Sequence, residues 1–326
     1  MINYYCCIFD RNYSVKGLAM LKSLKHFQPK AQIFVLTLDE FTEQLLKKLS
    51  IDGITLIPLS DVENTEVLEA KSNRNLVEYY WTLSSVFTHY VFSKIKNNFG
   101  SLTYLDSDIF FYSNPQRIFE QLKSTSSCII TPHNFSRRLA DRIVNGKFCV
   151  QWVTFVNNDE GGKILSEWRK DCLQWCYYRL EDGKMGDQKY LDYWDSTYEG
   201  VIIDGNIGAG LAPWNYEDKE IKRINGNIMV DNEPLIFYHF HQFTHTGIET
   251  FDRISKFYSD VAAVPEEVYS TYEARNNEYY QLISSLMNEV PYTFNASKTL
   301  KLIIRRFVQN HVPHSIKNII RPYLLR

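Results

Sequence analysis

No G-x-G-x-x-G follows the first strand pattern of this chain, and no G-x-x-x-x-G-K-[ST] occurs anywhere in it. Those absences argue against a dinucleotide oxidoreductase and a P-loop NTPase, whose phosphates need a glycine-lined turn running into a helix. No C-x-x-C pair exists among Cys6, Cys7, Cys128, Cys149, Cys172 and Cys176, so zinc ribbons and thioredoxin-like chemistry are excluded. Cys6 and Cys7 are neighbours within a predicted strand and face opposite ways. Buried free thiols in a reducing cytoplasm are therefore expected. No apolar run approaches the ~18 residues of a membrane span, and Asp10 and Arg11 come too early for a signal peptide. The sequons at Asn12, Asn134 and Asn295 then carry no meaning, and a cytoplasmic location is expected.

Acidic residues are missing from the C-terminal end of the chain. Residues 298–326 hold seven basic side chains (Lys298, Lys301, Arg305, Arg306, Lys317, Arg321, Arg326) and no acidic one. The formal charge of −2 therefore hides an acidic body, with 29 Lys and Arg against 38 Asp and Glu over residues 1–297. A nucleic-acid partner is not expected. In the tail, Leu300, Leu302, Ile303, Ile304 and Phe307 are interleaved with the cations, a pattern suited to an anionic membrane surface.

What is present is a run of alternating strand and helix patterns. Strands are expected at Asn3–Phe9, Gln32–Leu38 and Ile54–Leu59, with helices at Ser14–Phe27 and Glu40–Leu49 between them. That order implies parallel strands whose carboxyl ends bind ligands, and Asp10, Asp39 and Asp61 fall at that edge. A long helix covers about Asn75–Lys96. Further strands are expected at 127–131, 148–156, 200–203 and 234–240, and a helix over 160–179. After about 250 the pattern is helical to the end. His26 and His89 are expected to be satisfied core histidines.

The chemistry concentrates in LTYLDSDIFFY, residues 102–112. Asp106 and Asp108 are spaced i, i+2, which on an extended chain puts both on one face roughly 6–7 Å apart. Two acids crowded at the end of an apolar strand repel each other and lose hydration. A divalent cation, or a diphosphate bound through one, resolves that conflict. An aspartyl phosphatase would carry its D-x-D on the first strand with Thr or Val two residues later, and Phe110 occupies that place here. Three histidines, His239, His241 and His245, are alternatively a set that could hold zinc.

Taken in order, the segments resemble GT-A glycosyltransferases, most closely family 8 and the related nucleotide-diphospho-sugar transferases. YLDSDIFFYSNP is similar to their D-x-D segment. FDRNYSVKGLAMLKSL resembles their first-strand nucleotide loop, and KMGDQKYLDYW their G-D-Q-x-x-L-[ND] segment. NIGAGLAPWN is similar to a glycine-rich turn on the acceptor side, and PLIFYHFHQF to the strand that supplies a histidine to the D-x-D cation. The five segments span about residues 10 to 245.

The resemblance implies an α/β fold, a GT-A (Rossmann-like) mixed sheet flanked by helices. It would occupy residues 1–250, with a helical C-terminal extension at 251–326 that ends in the basic amphipathic tail. It implies Mn²⁺ or Mg²⁺ held by Asp106, Asp108 and His239, and a nucleotide, UDP by expectation, contacted by Asp10, Asn12, Tyr13 and Asp106. Asp187 and Gln188 would face the transferred sugar and the acceptor. The implied activity is hexosyl transfer with retention, onto a glycan or lipid-linked glycan of the cell envelope. A sugar-binding protein with a degenerate site is the alternative. The correspondence departs at Phe148-Cys149-Val150-Gln151, where the family shows F-N-A-G, and the family's K-P-W is absent after His245. Ser14 is expected to cap the first helix, and Asp187 to open a helix that buries Tyr190, Leu191 and Trp194.

Overall fold

The computed structural model describes residues 2–95, 100–255, 258 and 264–294. Expectations that rest on the basic tail, 298–326, lie outside the described residues.

Four parallel strands begin the main sheet. β1 (Ile2–Phe9), β2 (Gln32–Thr37) and β3 (Ile54–Pro58) run side by side, and β4 (Gly100–Leu105) pairs with the other edge of β1. The helices between them are α1 (Ser14–Phe27), α2 (Glu40–Leu49), α3 (Thr65–Ser72) and α4 (Leu76–Ile95). Side chains fix their starts. The Asp39 carboxylate accepts the Thr42 N–H at 2.8 Å to cap α2, and the Asn64 side chain accepts the Val67 N–H at 3.1 Å to cap α3.

α1 starts otherwise than expected. Asp10, not Ser14, does the capping: its carboxylate accepts the Tyr13 N–H at 3.1 Å and closes a 3₁₀ turn, Arg11–Tyr13, that runs straight into the helix. The Ser14 hydroxyl donates back to the Arg11 carbonyl at 2.7 Å. Residue 17 must be glycine for α1 to lie this close to the sheet, because a Cβ there would stand 2.7 Å from the Phe9 ring.

Past β4 the sheet becomes mixed. A short β5 (Ile109–Phe111) leaves it, followed by one helical turn, α5 (Gln116–Phe119). β7 (Phe148–Val156) lies antiparallel to both β4 and β6 (Cys128–Pro132), and β8 (Val201–Ile203) ends the sheet parallel to β6. The strand order is β3-β2-β1-β4-β7-β6-β8. α6 (Asp159–Gln174) and the short α7 (Trp194–Thr197) follow β7. One face of the sheet packs Leu102, Tyr104 and Val153 against α4 and α6 through Phe87, Val91, Ile164 and Trp168. The other packs Tyr5, Leu105 and Trp152 against α1 through Met20, Leu21 and Leu24. All six cysteines are free and buried.

Two expectations about the last third change. The strand expected over 234–240 is split. β11 (Glu233–Pro234) joins a meander with β9 (Ile221–Ile224) and β10 (Asn227–Val230), whereas β12 (Phe237–His239) pairs with β5. After residue 250 the chain is not helical at once. It forms a hairpin of β13 (Thr244–Gly247) and β14 (Thr250–Asp252), and α8 (Glu266–Met287) begins after Pro265. α8 packs Val268, Tyr269, Tyr272 and Ile283 with Val15, Leu18 and Ala19 of α1 and Leu45 of α2. His26 is exposed against Phe27, and His89 half-buried. Among the described residues no helix is long and apolar enough to cross a membrane.

Candidate active site

The two carboxylates sit on a turn, not on one extended strand. The Asp106 N–H donates to the Gln151 carbonyl of β7 at 3.1 Å, the last rung of the β4–β7 ladder. The chain turns at Ser107, whose hydroxyl donates to the Ile8 carbonyl of β1 at 2.5 Å. Asp108 then enters β5, and the Phe240 N–H donates to its carbonyl at 2.8 Å. Because β5 pairs with β12, Ile109 faces His239, and the histidine arrives beside the acids. The bend brings the carboxylates closer than an extended strand would.

His239 Nε2 lies 3.0 Å from Asp108 Oδ1 and 3.8 Å from Asp106 Oδ2. One ligand atom from each of the three residues falls within 4.8 Å of the others. Trp214 packs edge-on against the His239 ring at 5.3 Å. Burial pushes the Asp106 carboxyl up to about 6, His239 pulling it down and Asp108 pushing it further up. For Asp108, burial also raises the pKa. The charge and hydrogen bond of His239, then Lys16, outweigh it and hold the carboxyl below its usual range. Burial lowers the His239 pKa, yet the charge of Asp108 and its hydrogen bond reverse that and leave it well above its ordinary value.

Two acids and one imidazole make an oxygen-rich set of hard donors, suited to Mn²⁺ or Mg²⁺. Three protein ligands also leave coordination positions for phosphate oxygens. A three-histidine site does not assemble among the described residues. His245 Nδ1 lies 3.1 Å from the Tyr292 hydroxyl, and its ring stacks on Phe251 at 4.6 Å. His241, 5.6 Å from His239 between ring centres, is outside the ligand group, and burial pushes it down to about 4.

The loop after β1 borders this cluster. Asp10 is buried, and its carboxylate accepts from the Tyr13 N–H, from Asn12 Nδ2 at 3.2 Å and from the Tyr80 hydroxyl at 3.3 Å. That leaves Asn12 and Tyr13 exposed at the rim. Charge on Asp108, then burial and charge on Asp106, raise the Tyr13 pKa, and the Lys16 ammonium lies 4.5 Å from the centre of the Tyr13 ring. Arg11 points away. It pairs with Glu289 at 2.6 Å and donates to the Pro291 carbonyl at 2.9 Å, tying the loop to the segment after α8.

Asp187 does not cap a helix. Its Oδ2 accepts the Ser84 hydroxyl of α4 at 2.7 Å, and its carbonyl accepts Trp168 Nε1 at 2.9 Å. Gly186 before it has φ +55° and lies against Trp81, which sets the turn. Burial, with a contribution from Asp106, pushes the Asp187 carboxyl up to about 7. A 3₁₀ turn (Lys189–Tyr193) follows and buries Leu191, with Trp194 behind it, while Tyr190 stays half-buried. Gln188 donates its amide to the Asn145 carbonyl at 2.9 Å. In the glycine-rich turn, Gly210 has φ +74°, and a Cβ there would stand 2.8 Å from Gln151 Nε2.

Sequence reasoning missed Lys16, Ser84 and Trp214. Lys16 carried one signal: a cation in the first turn of a helix opposes the macrodipole. Its ammonium lies 3.9 Å from Asp108 Oδ2.

No protein-family model matches the chain. The uncharacterized protein YfnD of Bacillus subtilis (strain 168) is 33% identical over 246 residues, covering 74% of this chain and 78% of YfnD. The uncharacterized protein YfnF of the same organism is 30% identical over 261 residues, covering 78% of this chain and 86% of YfnF. Among solved structures, the apo form of the glycosyltransferase GlyE from Streptococcus pneumoniae TIGR4 superposes with a TM-score of 0.50 at 15% identity, covering 88% of this chain and 64% of GlyE. The fold is that of the GT-A glycosyltransferases.

Proposed function

From the premise that the chain belongs to the family of YfnD and YfnF and has the GT-A glycosyltransferase fold, we propose that it is a metal-dependent hexosyltransferase using a nucleotide sugar. The observation that carries this reading is the convergence of Asp106, Asp108 and His239 beside the loop after β1. Asp108 and His239 are the direct ligands in this reading, and Asp106 shares the ion or holds the ribose hydroxyls. Asp10 keeps the loop in shape so that Asn12 and Tyr13 meet the nucleotide, with UDP our choice. When bound, the cation supplies Lewis acidity against the charge of the leaving diphosphate.

Asp187 serves the sugar. With one oxygen accepting from Ser84 and a pKa near 7, its carboxyl offers a proton on the other oxygen to a sugar hydroxyl. Gln188 is a weak nucleophile, and its amide is engaged by Asn145. We therefore read the transfer as front-face attack with retention, the leaving phosphate taking the acceptor's proton. Exposed Tyr178 and Tyr193, with Trp81 against Tyr178 at 5.3 Å, offer ring faces to an acceptor glycan.

A cell-envelope glycan, free or lipid-linked, is the acceptor class we favour, reached through a basic tail on the inner face of the membrane. Removing residues 298–326 should move the protein from the membrane to the soluble fraction while nucleotide-sugar binding survives; unfolding on truncation contradicts the tail's role. The test of the whole reading is a panel of UDP-sugars with Mn²⁺. We expect at least one to be hydrolysed slowly without acceptor, and hydrolysis to stop on chelation. Absence of binding and turnover across the panel, or full turnover after exhaustive chelation, overturns it.

A further inference from the structure

Lys16 occupies a place that neither capping nor packing explains. It lies in the first turn of α1, where positive charge opposes the helix dipole, and its side chain is only 14% exposed. The ammonium is 4.5 Å from the centre of the Tyr13 ring and 3.9 Å from Asp108 Oδ2, too far for a hydrogen bond. Among the described residues it donates no hydrogen bond at all. A nearly buried ammonium without acceptors is costly, and an anion with several oxygens would remove that cost.

We propose that Lys16 is a diphosphate-binding cation that makes metal binding and nucleotide binding interdependent, an inference that rests on the nucleotide-sugar reading above. Asp108 is shared. Without ligands its carboxylate faces both Lys16 and His239. A divalent ion on the same carboxylate adds like-signed charge next to Lys16, so the ion alone binds against repulsion. A diphosphate accepts hydrogen bonds from the ammonium with one set of oxygens and meets the ion with another. Each ligand then favours the other, and the coupling is reciprocal.

The test is calorimetric titration of the full chain with Mn²⁺, UDP and UMP, in the wild type and in Lys16→Met, a change that keeps most of the volume. In the wild type, UDP should tighten Mn²⁺ about tenfold or more, within the range of ordinary coupling. In Lys16→Met, Mn²⁺ alone should bind several-fold tighter, UDP with Mn²⁺ about tenfold weaker, and UMP should change less than UDP. Lys16→Arg should keep the coupling, and Lys16→Gln replaces the methionine variant if that one does not fold. Equal weakening of Mn²⁺, UDP and UMP, or no change in any of them, overturns the proposal. A wild type that binds UDP neither with nor without Mn²⁺ overturns the nucleotide-sugar reading itself.

Discussion

The parallel and antiparallel halves of the sheet treat their buried polar groups differently. On the parallel side three polar side chains at the strand ends have their partners. Asp10 holds the 3₁₀ turn and Asn12, Asp39 caps α2 and accepts the Arg11 N–H at 2.6 Å, and Ser107 ties the D-x-D turn to β1. On the antiparallel side, Gln151 of β7 is fully buried, and neither amide atom has a partner among the described residues. An unmatched buried amide costs about 1–3 kcal/mol. The loop after β1, the proposed nucleotide side, is thus held in shape by these bonds, whereas β7, on the proposed sugar side, keeps hydrogen-bonding capacity at Gln151 that the described residues do not use.

That contrast is open to attack from several directions. The largest effect is expected on the nucleotide side. Asp108→Asn removes the shared carboxylate, and transfer should fall by roughly two orders of magnitude or more. The variant also loses stability, because Asp108 is buried and paired with His239, so steady-state assays need a melting curve beside them. Undiminished turnover would contradict the cluster's role.

Next in size is the separation of the two histidines. His239→Ala should raise the Mn²⁺ concentration needed for half-maximal activity by about 10–100-fold, and His241→Ala far less, since only His239 joins the ligand group. Reversed sensitivities would mean that the β5–β12 register misplaces the ligand.

The last effect is on stability rather than turnover and concerns Asp187, and its sign follows from linkage. Burial raises its carboxyl to about 7, so between the unfolded value near 4 and about 7 the folded state holds a proton that the unfolded chain has lost. Asp187 therefore favours folding at low pH, and that contribution disappears as pH rises through about 7. Asp187→Asn should gain stability relative to the wild type between pH 5 and pH 8, by on the order of 1–3 kcal/mol. A difference between the two melting curves that does not vary with pH would place Asp187 in water rather than in the buried site.

The two halves also differ in how openly the sequence declares them. Ser14–Phe27 and Glu40–Leu49 form helices over the spans their periodicity predicts, because their apolar faces and flanking polar residues act locally. The long β7 is equally plain, apolar over Phe148–Val156. The D-x-D turn, β5 and β12 were not legible as built. Each strand is three residues long, too short for a period-2 pattern, and their pairing joins segments distant in the chain. His239 was placed through the resemblance, since nothing near it in sequence distinguishes it from His241. Lys16 and Ser84 reach the site only through tertiary contacts with Asp108 and Asp187. The extended helical pattern after 250 concealed the β13–β14 hairpin, whose short strands hold few apolar residues.

The central claim is that Asp106, Asp108 and His239 hold a divalent ion that meets the nucleotide's diphosphate. Anomalous scattering from crystals grown with Mn²⁺ and UDP tests it most directly. The account predicts a single manganese peak within bonding distance of Asp108 and His239, with UDP phosphate oxygens on its remaining positions and Lys16 on the diphosphate. A manganese peak elsewhere, or UDP bound with its phosphates away from Asp108, would contradict it.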